Sequence, residues 1–124
     1  MELTHKEIVK NIINWAKEKK AEEIKYYDVK GKTSYTDSII VCHGTSSLHI
    51  KAIAENIIQK AKESHFELIS IEGLEYASWI LLDFVDIIVH IFNEETRKYY
   101  QLEELWKVRP NNQEKQESNL IPEL

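Results

Sequence analysis

The sequence predicts an α/β (α+β) domain, in which helices pack on a five-stranded mixed β-sheet. Two segments carry apolar residues at helical spacing, one near the N-terminus and one after Gly44. Five short segments are apolar or alternate apolar with polar residues, as strands do. The only glycines, Gly31, Gly44 and Gly73, stand at junctions between these segments. The resulting order is helix, two strands, helix, three strands and helix, which is typical of helices layered on a mixed sheet.

The helices are the best-marked elements. Thr4 and Glu7 have the spacing of a capping box at the start of the first helix. Ser46 or Ser47 can cap the second helix, and Asn93 is suited to cap the third, whose pattern allows a kink. The expected bounds are residues 4–19, 46–64 and 94–106.

The strand candidates centre on the stretch Glu72–Phe92. Its two strands are separated by a very short turn, and the second is apolar on both faces. Such a strand belongs inside a sheet that is covered on both sides. The expected strand bounds are residues 24–30, 35–43, 66–72, 78–83 and 86–92.

Length and composition suggest a single domain over residues 1–108, followed by a polar tail at 109–124 that we expect to be disordered. The net charge of −5 disfavours sequence-specific nucleic-acid binding and suits a basic protein partner. Cys42 is the only cysteine, so no internal disulfide can form. No signal peptide or membrane-spanning run is visible, so we expect a cytoplasmic protein that does not insert into a membrane.

The polar residues give no sign of an active site. A nucleotidyltransferase-type metal site needs two carboxylates at i and i+2, and no Asp-x-Asp occurs. Asp83 and Asp86 instead flank a turn, where carboxylates are usually turn formers or exposed charges. The histidines lack metal-ligand spacing with Cys42. We therefore predict no catalytic residue, metal site or cofactor, and only a weak anion-binding signal in the turn after Gly44.

Trp79 is the most informative single residue. Strand alternation places Trp79 and Asp83 on one face and Leu82 on the other. Trp79 can be a half-buried core residue or an aromatic anchor for a partner, and the acidic residues near it would suit a basic one. His90, within an apolar strand, can be a hydrogen-bonded core residue or a functional one.

The same stretch resembles the ribosomal silencing factor family, also called Iojap-like. The resemblance covers about residues 24–106. No single motif in it is specific, but the order and spacing of the motifs together are. Its main pieces are Glu72-Gly73, Trp79-Ile80-Leu81-Leu82-Asp83, Asp86-Ile87-Ile88-Val89-His90-Ile91-Phe92, and the closing Tyr99-Tyr100, Leu102-Glu103 and Leu105-Trp106.

The resemblance implies a nucleotidyltransferase-like fold without the catalytic carboxylates. It also implies binding to the large ribosomal subunit through its fourteenth protein, which sterically blocks the small subunit and represses translation under nutrient limitation. The partner-binding residues that it implies are Trp79, Leu82, Asp83, His90, Tyr76 and Asp86. Trp79 and Leu82 can both face a partner only if the strand is irregular.

Two other functions remain open. The fold kinship and the Gly44 turn are compatible with a nucleotide-binding or nucleotidyltransferase-like enzyme. The tryptophans are compatible with a self-associating scaffold, in which Trp15, Trp79 and Trp106 line a homodimer interface. A homodimer can also coexist with ribosome binding.

Overall fold

The computed structural model of the protein describes residues 3–106. These residues form three α-helices, five strands and one short 3-10 helix, which agrees with the predicted order of elements. The bounds are α1 His5–Glu18, β1 Glu22–Asp28, β2 Ser38–Gly44, α2 Ser47–Glu63, β3 Leu68–Glu72, β4 Trp79–Phe84, β5 Ile87–Asn93, α3 Glu94–Tyr100 and the 3-10 helix Leu102–Trp106.

The predicted helix starts are confirmed by their caps. The Thr4 hydroxyl accepts a hydrogen bond from the Glu7 amide at 3.1 Å, and the Glu7 carboxylate accepts one from the Thr4 amide at 2.9 Å. The Asn93 side chain accepts a bond from the Thr96 amide at 2.7 Å. The third helical segment is broken at Gln101, whose φ of +49° is left-handed, so α3 and the 3-10 helix are separate.

The sheet is mixed, as predicted. Its strand order is β1-β2-β5-β4-β3, in which β2 and β5 are parallel and the other pairs are antiparallel. The strand that is apolar on both faces, β5, lies at the centre and is buried along all but its last residue. Central placement gives both of its apolar faces a layer to pack against.

The two faces of the sheet are covered unequally. Helices α1 and α2 cover one face and form the larger core with it. On the opposite face, α3 and the 3-10 helix lie over the β1–β2–β5 side, where a smaller cluster consists of Tyr27, Val29, Ile39, Val41 and Phe92, with Trp79 and Leu102 packed against it. The part of this face over β3 and β4 is therefore the more open one.

Some predicted bounds were wrong. β2 begins at Ser38 and not at Tyr35, because the chain first turns back through hydrogen bonds to the Val29 carbonyl and leaves Tyr35 58% exposed in a loop. β1 begins two residues earlier than expected, and β3 two residues later.

Residues 107–124 lie outside the described part, so the division into a domain at 1–108 and a tail at 109–124 stays a prediction. Within residues 3–106, no helix is long and apolar enough to cross a membrane.

Candidate partner-binding surface

The alternation of β4 divides it between core and surface. Ile80, Leu82 and Phe84 are buried, whereas Trp79, Leu81 and Asp83 are only partly buried. The pairing of β4 with β5 is continuous from Trp79 to Asp83, so no irregularity turns a neighbouring side chain to the other face. The predicted separation of Trp79 from Leu82 is confirmed.

Trp79 lies in a stack of aromatic rings. Its ring centroid is 5.1 Å from that of Phe92, the residue directly opposite on β5, and 5.3 Å from that of Tyr100 at the end of α3. Phe92 is buried and Tyr100 is 52% exposed. Trp79 therefore spans the boundary between core and solvent, which confirms the half-buried interpretation, whereas its role as an anchor for a partner stays a prediction.

His90 is the hydrogen-bond partner of the Trp79 indole. The indole Nε1–H donates a hydrogen bond to His90 Nδ1 at 3.0 Å, which requires Nδ1 to be unprotonated. Burial lowers the pKa of His90 to about 4, against a smaller opposing effect of the Glu103 carboxylate. The ring is therefore neutral near pH 7. Because His90 is only 6% exposed, its ring contacts Trp79 but leaves little surface that a partner could touch.

Two further predicted residues are placed very differently by the structure. Leu82 has no exposed surface and packs in the larger core, so we leave it out of the partner-binding surface. Tyr76 is 82% exposed in the loop between β3 and β4. That loop is held by a 2.9 Å bond from the Ala77 amide to the Gly73 carbonyl, with both residues at positive φ.

The two predicted aspartates lie at the β4–β5 turn end of the hairpin, in different surroundings. Asp83 shares the sheet face of Trp79, and Glu72 joins that face opposite Leu81. Burial raises the pKa of the Asp83 carboxyl, and the carboxylate of Glu72 raises it further. Asp86 lies in the turn itself, where its carbonyl accepts bonds from the amides of Asp37 and Ser38 that lead into β2. Asp83 therefore shares a sheet face with Trp79, but it lies four residues further along β4, near the turn that contains Asp86.

Local sequence patterns do not indicate an ion-pair cluster that closes the segment containing Tyr100. The buried Arg97 guanidinium binds both carboxylate oxygens of Glu103, at 2.9 and 3.0 Å. It also contacts Nδ1 of His43 and the Glu23 carbonyl, each at 2.9 Å. The Tyr27 hydroxyl donates to Glu103 at 2.6 Å. We call Arg97, Glu103 and Tyr27 the Arg97 clamp; it fixes the turn at Gln101 and hence the end of α3.

The geometry gives little support to nucleotide chemistry. A cleft of about 400 Å³ lies beside the Arg97 clamp, but its lining mixes carboxylates with cations, and Arg97 is already engaged. In the turn after Gly44, the Thr45 amide donates to His49 Nδ1 at 2.9 Å, and the Ser46 hydroxyl caps α2. These bonds engage the Thr45 and His49 amides, two of the groups that could otherwise bind an anion. Nowhere between residues 3 and 106 do three potential metal ligands cluster.

Trp15 does not belong to any surface shared with Trp79. It is 8% exposed and packs on Phe66, with ring centroids 5.4 Å apart. The predicted scaffold interface that included Trp15 was therefore wrong in this residue, because α1 turns it toward the helix-covered core.

Comparisons with known proteins agree with this architecture. A family model described as "Ribosomal silencing factor during starvation" matches residues 2–123. The ribosomal silencing factor RsfS of Haemophilus influenzae is 45% identical over 87 residues, which cover 70% of this chain and 85% of that protein. RsfS of Halalkalibacterium halodurans is 35% identical over 108 residues, or 87% of this chain and 92% of that protein.

A solved structure shares the fold. The crystal structure of a Chromobacterium violaceum protein superposes with a TM-score of 0.82 at 33% identity, covering 84% of this chain and 87% of that one. The family match spans nearly the whole chain, and the relatives are matched over most of their own length. The chain belongs to the ribosomal silencing factor family, RsfS.

Proposed function

We propose that this ribosomal silencing factor binds the large ribosomal subunit through the surface around Trp79, and that it contacts the fourteenth protein of that subunit. The silencing role itself follows from family membership, which also confirms the prediction that the chain is not an enzyme. We infer a steric mechanism: the bound protein occupies space that the small subunit needs, so subunits do not join and translation is repressed.

The aromatic stack of Trp79 is the observation that carries this proposal. An indole held by a hydrogen bond and two ring contacts is pre-oriented, so little side-chain entropy is lost when a partner covers it. Tryptophans in such settings are the commonest energetic anchors of protein interfaces. Tyr76, in the loop before β4, and Asp83, further along the same sheet face, would extend the surface with an exposed ring and a carboxylate.

The charge of this region favours a basic partner. Residues 63–96 contain eight carboxylates and no lysine or arginine, although the whole chain has a net charge of only −5. The negative charge is therefore concentrated on the segment that holds β3, β4 and β5. A basic ribosomal protein would be attracted to it, and added salt would weaken the attraction.

Co-sedimentation with isolated large subunits tests the proposal. The wild type should pellet with the subunits at near-physiological salt, and Trp79→Ala should bind about 2–4 kcal/mol more weakly, the range of an interface hot spot. Leu48→Ala is a matched control, because Leu48 is 74% exposed at the start of α2, away from Trp79. Equal pelleting of a folded Trp79→Ala variant would refute the role of this surface.

We also infer the nucleotidyltransferase-like kinship of the fold, without the catalytic carboxylates. The kinship rests on the family resemblance, and the lack of an Asp-x-Asp pair supports the missing catalytic carboxylates. Nucleotides with magnesium should leave the melting temperature unchanged, because a ligand that binds the folded state raises it. A clear upward shift would favour the enzyme alternative.

The homodimer and the cytoplasmic location remain predictions. Self-association through the exposed rings of Tyr76 and Tyr100 would compete with ribosome binding, since both would cover the same surface. Sedimentation velocity over a range of protein concentrations tests for a dimer, and Trp79→Ala tests whether the dimer uses this surface.

A further inference from the structure

We propose that the partner-binding surface continues from Trp79 across the end of α3, where the rings of Tyr100 and Tyr99 receive arginine or lysine side chains of the same basic ribosomal partner. This inference rests on the proposed function, and it adds a second chain segment and a contact chemistry to it. None of the residues that the family resemblance implied as contacts lies on α3.

The three rings form one continuous series. Trp79 and Tyr100 have centroids 5.3 Å apart, and Tyr100 and Tyr99 meet edge to face at 5.0 Å. Exposure increases along the series, from the half-buried Trp79 through Tyr100 at 52% to Tyr99 at 80%. Leu105, on the adjoining 3-10 helix, is 71% exposed. Adjoining rings that are this exposed form a contiguous patch, which is typical of a binding surface.

The charges on α3 favour a cationic side chain of the partner over the Tyr99 ring. Glu95 precedes Tyr99 by four residues and so lies on the same stripe of α3, where its side chain is exposed. The two cations of α3 are both engaged by carboxylates: Arg97 with Glu103 at 2.9 Å and Lys98 with Glu94 at 3.3 Å. A guanidinium or ammonium group over the Tyr99 ring would gain a cation–π contact and a nearby carboxylate.

The Arg97 clamp explains how these rings are held. A buried ion pair rarely adds more stability than apolar packing would, but it fixes geometry. Here Arg97 and Glu103 lie on either side of the left-handed Gln101, so the pair closes the turn that ends α3. Both tyrosines lie inside that closed segment, and Tyr100 is set directly against Trp79.

Three tyrosine variants test the proposal by equilibrium binding to large subunits. Tyr99→Ala should lower the affinity for large subunits about tenfold, because it removes one cation–π contact and the apolar contacts of the ring. Tyr99→Phe keeps the ring and should bind within about twofold of the wild type, by the same reasoning. Tyr35→Ala is the control, since Tyr35 is also exposed but lies in the loop before β2.

The outcomes separate this inference from the proposed function. If the wild type does not bind large subunits, the proposed function fails first. If the wild type binds and Trp79→Ala weakens binding, but Tyr99→Ala binds like the wild type, only the extension across α3 is wrong. Equal losses for Tyr99→Ala and Tyr35→Ala would also overturn it, as would a Tyr99→Phe variant that binds as poorly as Tyr99→Ala.

Discussion

The indole nitrogen of Trp79 donates its proton to Nδ1 of His90 across 3.0 Å, and the two rings lie 5.9 Å apart. One partner is half-buried and the other almost fully buried. The bond therefore connects the partner-binding surface to the interior of the sheet. It makes the orientation of Trp79 depend on the protonation state of one histidine.

Trp79→Phe should lower the free energy of unfolding by about 1 kcal/mol, because it removes this hydrogen bond and keeps an aromatic ring in the stack. A double-mutant cycle with His90→Ala, measured by urea denaturation, isolates the pair. The coupling free energy should also be about 1 kcal/mol, as expected for residues in direct contact. Additive effects of the two substitutions would contradict the hydrogen bond.

Acid should destabilise the protein through His90. The folded ring takes up a proton only near pH 4, whereas in the unfolded chain it does so near its ordinary pKa of 6.5. Between these values acidification favours the unfolded state, which binds more protons, so stability is lost as the pH falls from 6.5 toward 4. The full loss is about 3 kcal/mol, at roughly 1.4 kcal/mol per unit of pKa difference.

Denaturation of the wild type and His90→Asn at several pH values measures this loss. The substituted asparagine does not titrate, and its amide oxygen can still accept a bond near the position of Nδ1. The stability difference between the two proteins should therefore shrink or reverse on acidification. Parallel pH profiles would show that His90 does not control the acid response.

Glu103→Gln should cost about 3 kcal/mol of stability, because it leaves the buried Arg97 charge without its counter-ion. The Glu103 carboxylate is held charged in the fold: burial raises its pKa, but the bonds from Arg97 and Tyr27 outweigh this effect and the net shift is downward. Glu55→Gln, an exposed carboxylate on α2, should change stability by less than about 0.5 kcal/mol. Chemical denaturation compares the two, and similar losses would argue against a special role for the Arg97 clamp.

Gly73→Ala should destabilise the protein more than Gly31→Ala does. Both glycines have φ of +83°, so each substitution bears the same backbone strain of about 1–2 kcal/mol. A Cβ at Gly31 would meet nothing within 4 Å, whereas one at Gly73 would lie 2.1 Å from the Trp79 carbonyl oxygen. The difference between the unfolding free energies of the Gly73→Ala and Gly31→Ala variants, measured by chemical denaturation, therefore reports the clash with the Trp79 carbonyl. Equal losses would show that the loop between β3 and β4 shifts to relieve this clash.

Periodicity was sufficient to predict the central part of the fold. Alternation alone separated Trp79 from Leu82, and the structure agrees because β4 pairs regularly with β5. The family resemblance implies Leu82 as a contact, whereas the structure buries its side chain fully in the core. β2 was predicted too long because Tyr35 is aromatic and suits a strand, but the hydrogen bonds of the preceding turn leave it in a loop.

The contact between Tyr100 and Trp79 could not be predicted from local patterns. The two residues come from separate elements, and their meeting depends on the left-handed Gln101 and on the Arg97–Glu103 pair. These charged residues are six positions apart, which is not a helical spacing, so nothing in the sequence indicates that they pair. An arginine so deeply buried is also contrary to composition-based expectation.

The alternation of β4 has a consequence for how this protein can change. Trp79, Leu81 and Asp83 lie on the opposite face from Ile80, Leu82 and Phe84. Substitutions at the first three positions can therefore change the proposed partner-binding surface while the helix-covered core stays intact. A deletion or insertion of one residue within β4 would turn the buried side chains toward the solvent and the surface side chains toward the core, and would disrupt both faces. We therefore expect β4 to tolerate substitutions on its surface face but not insertions or deletions.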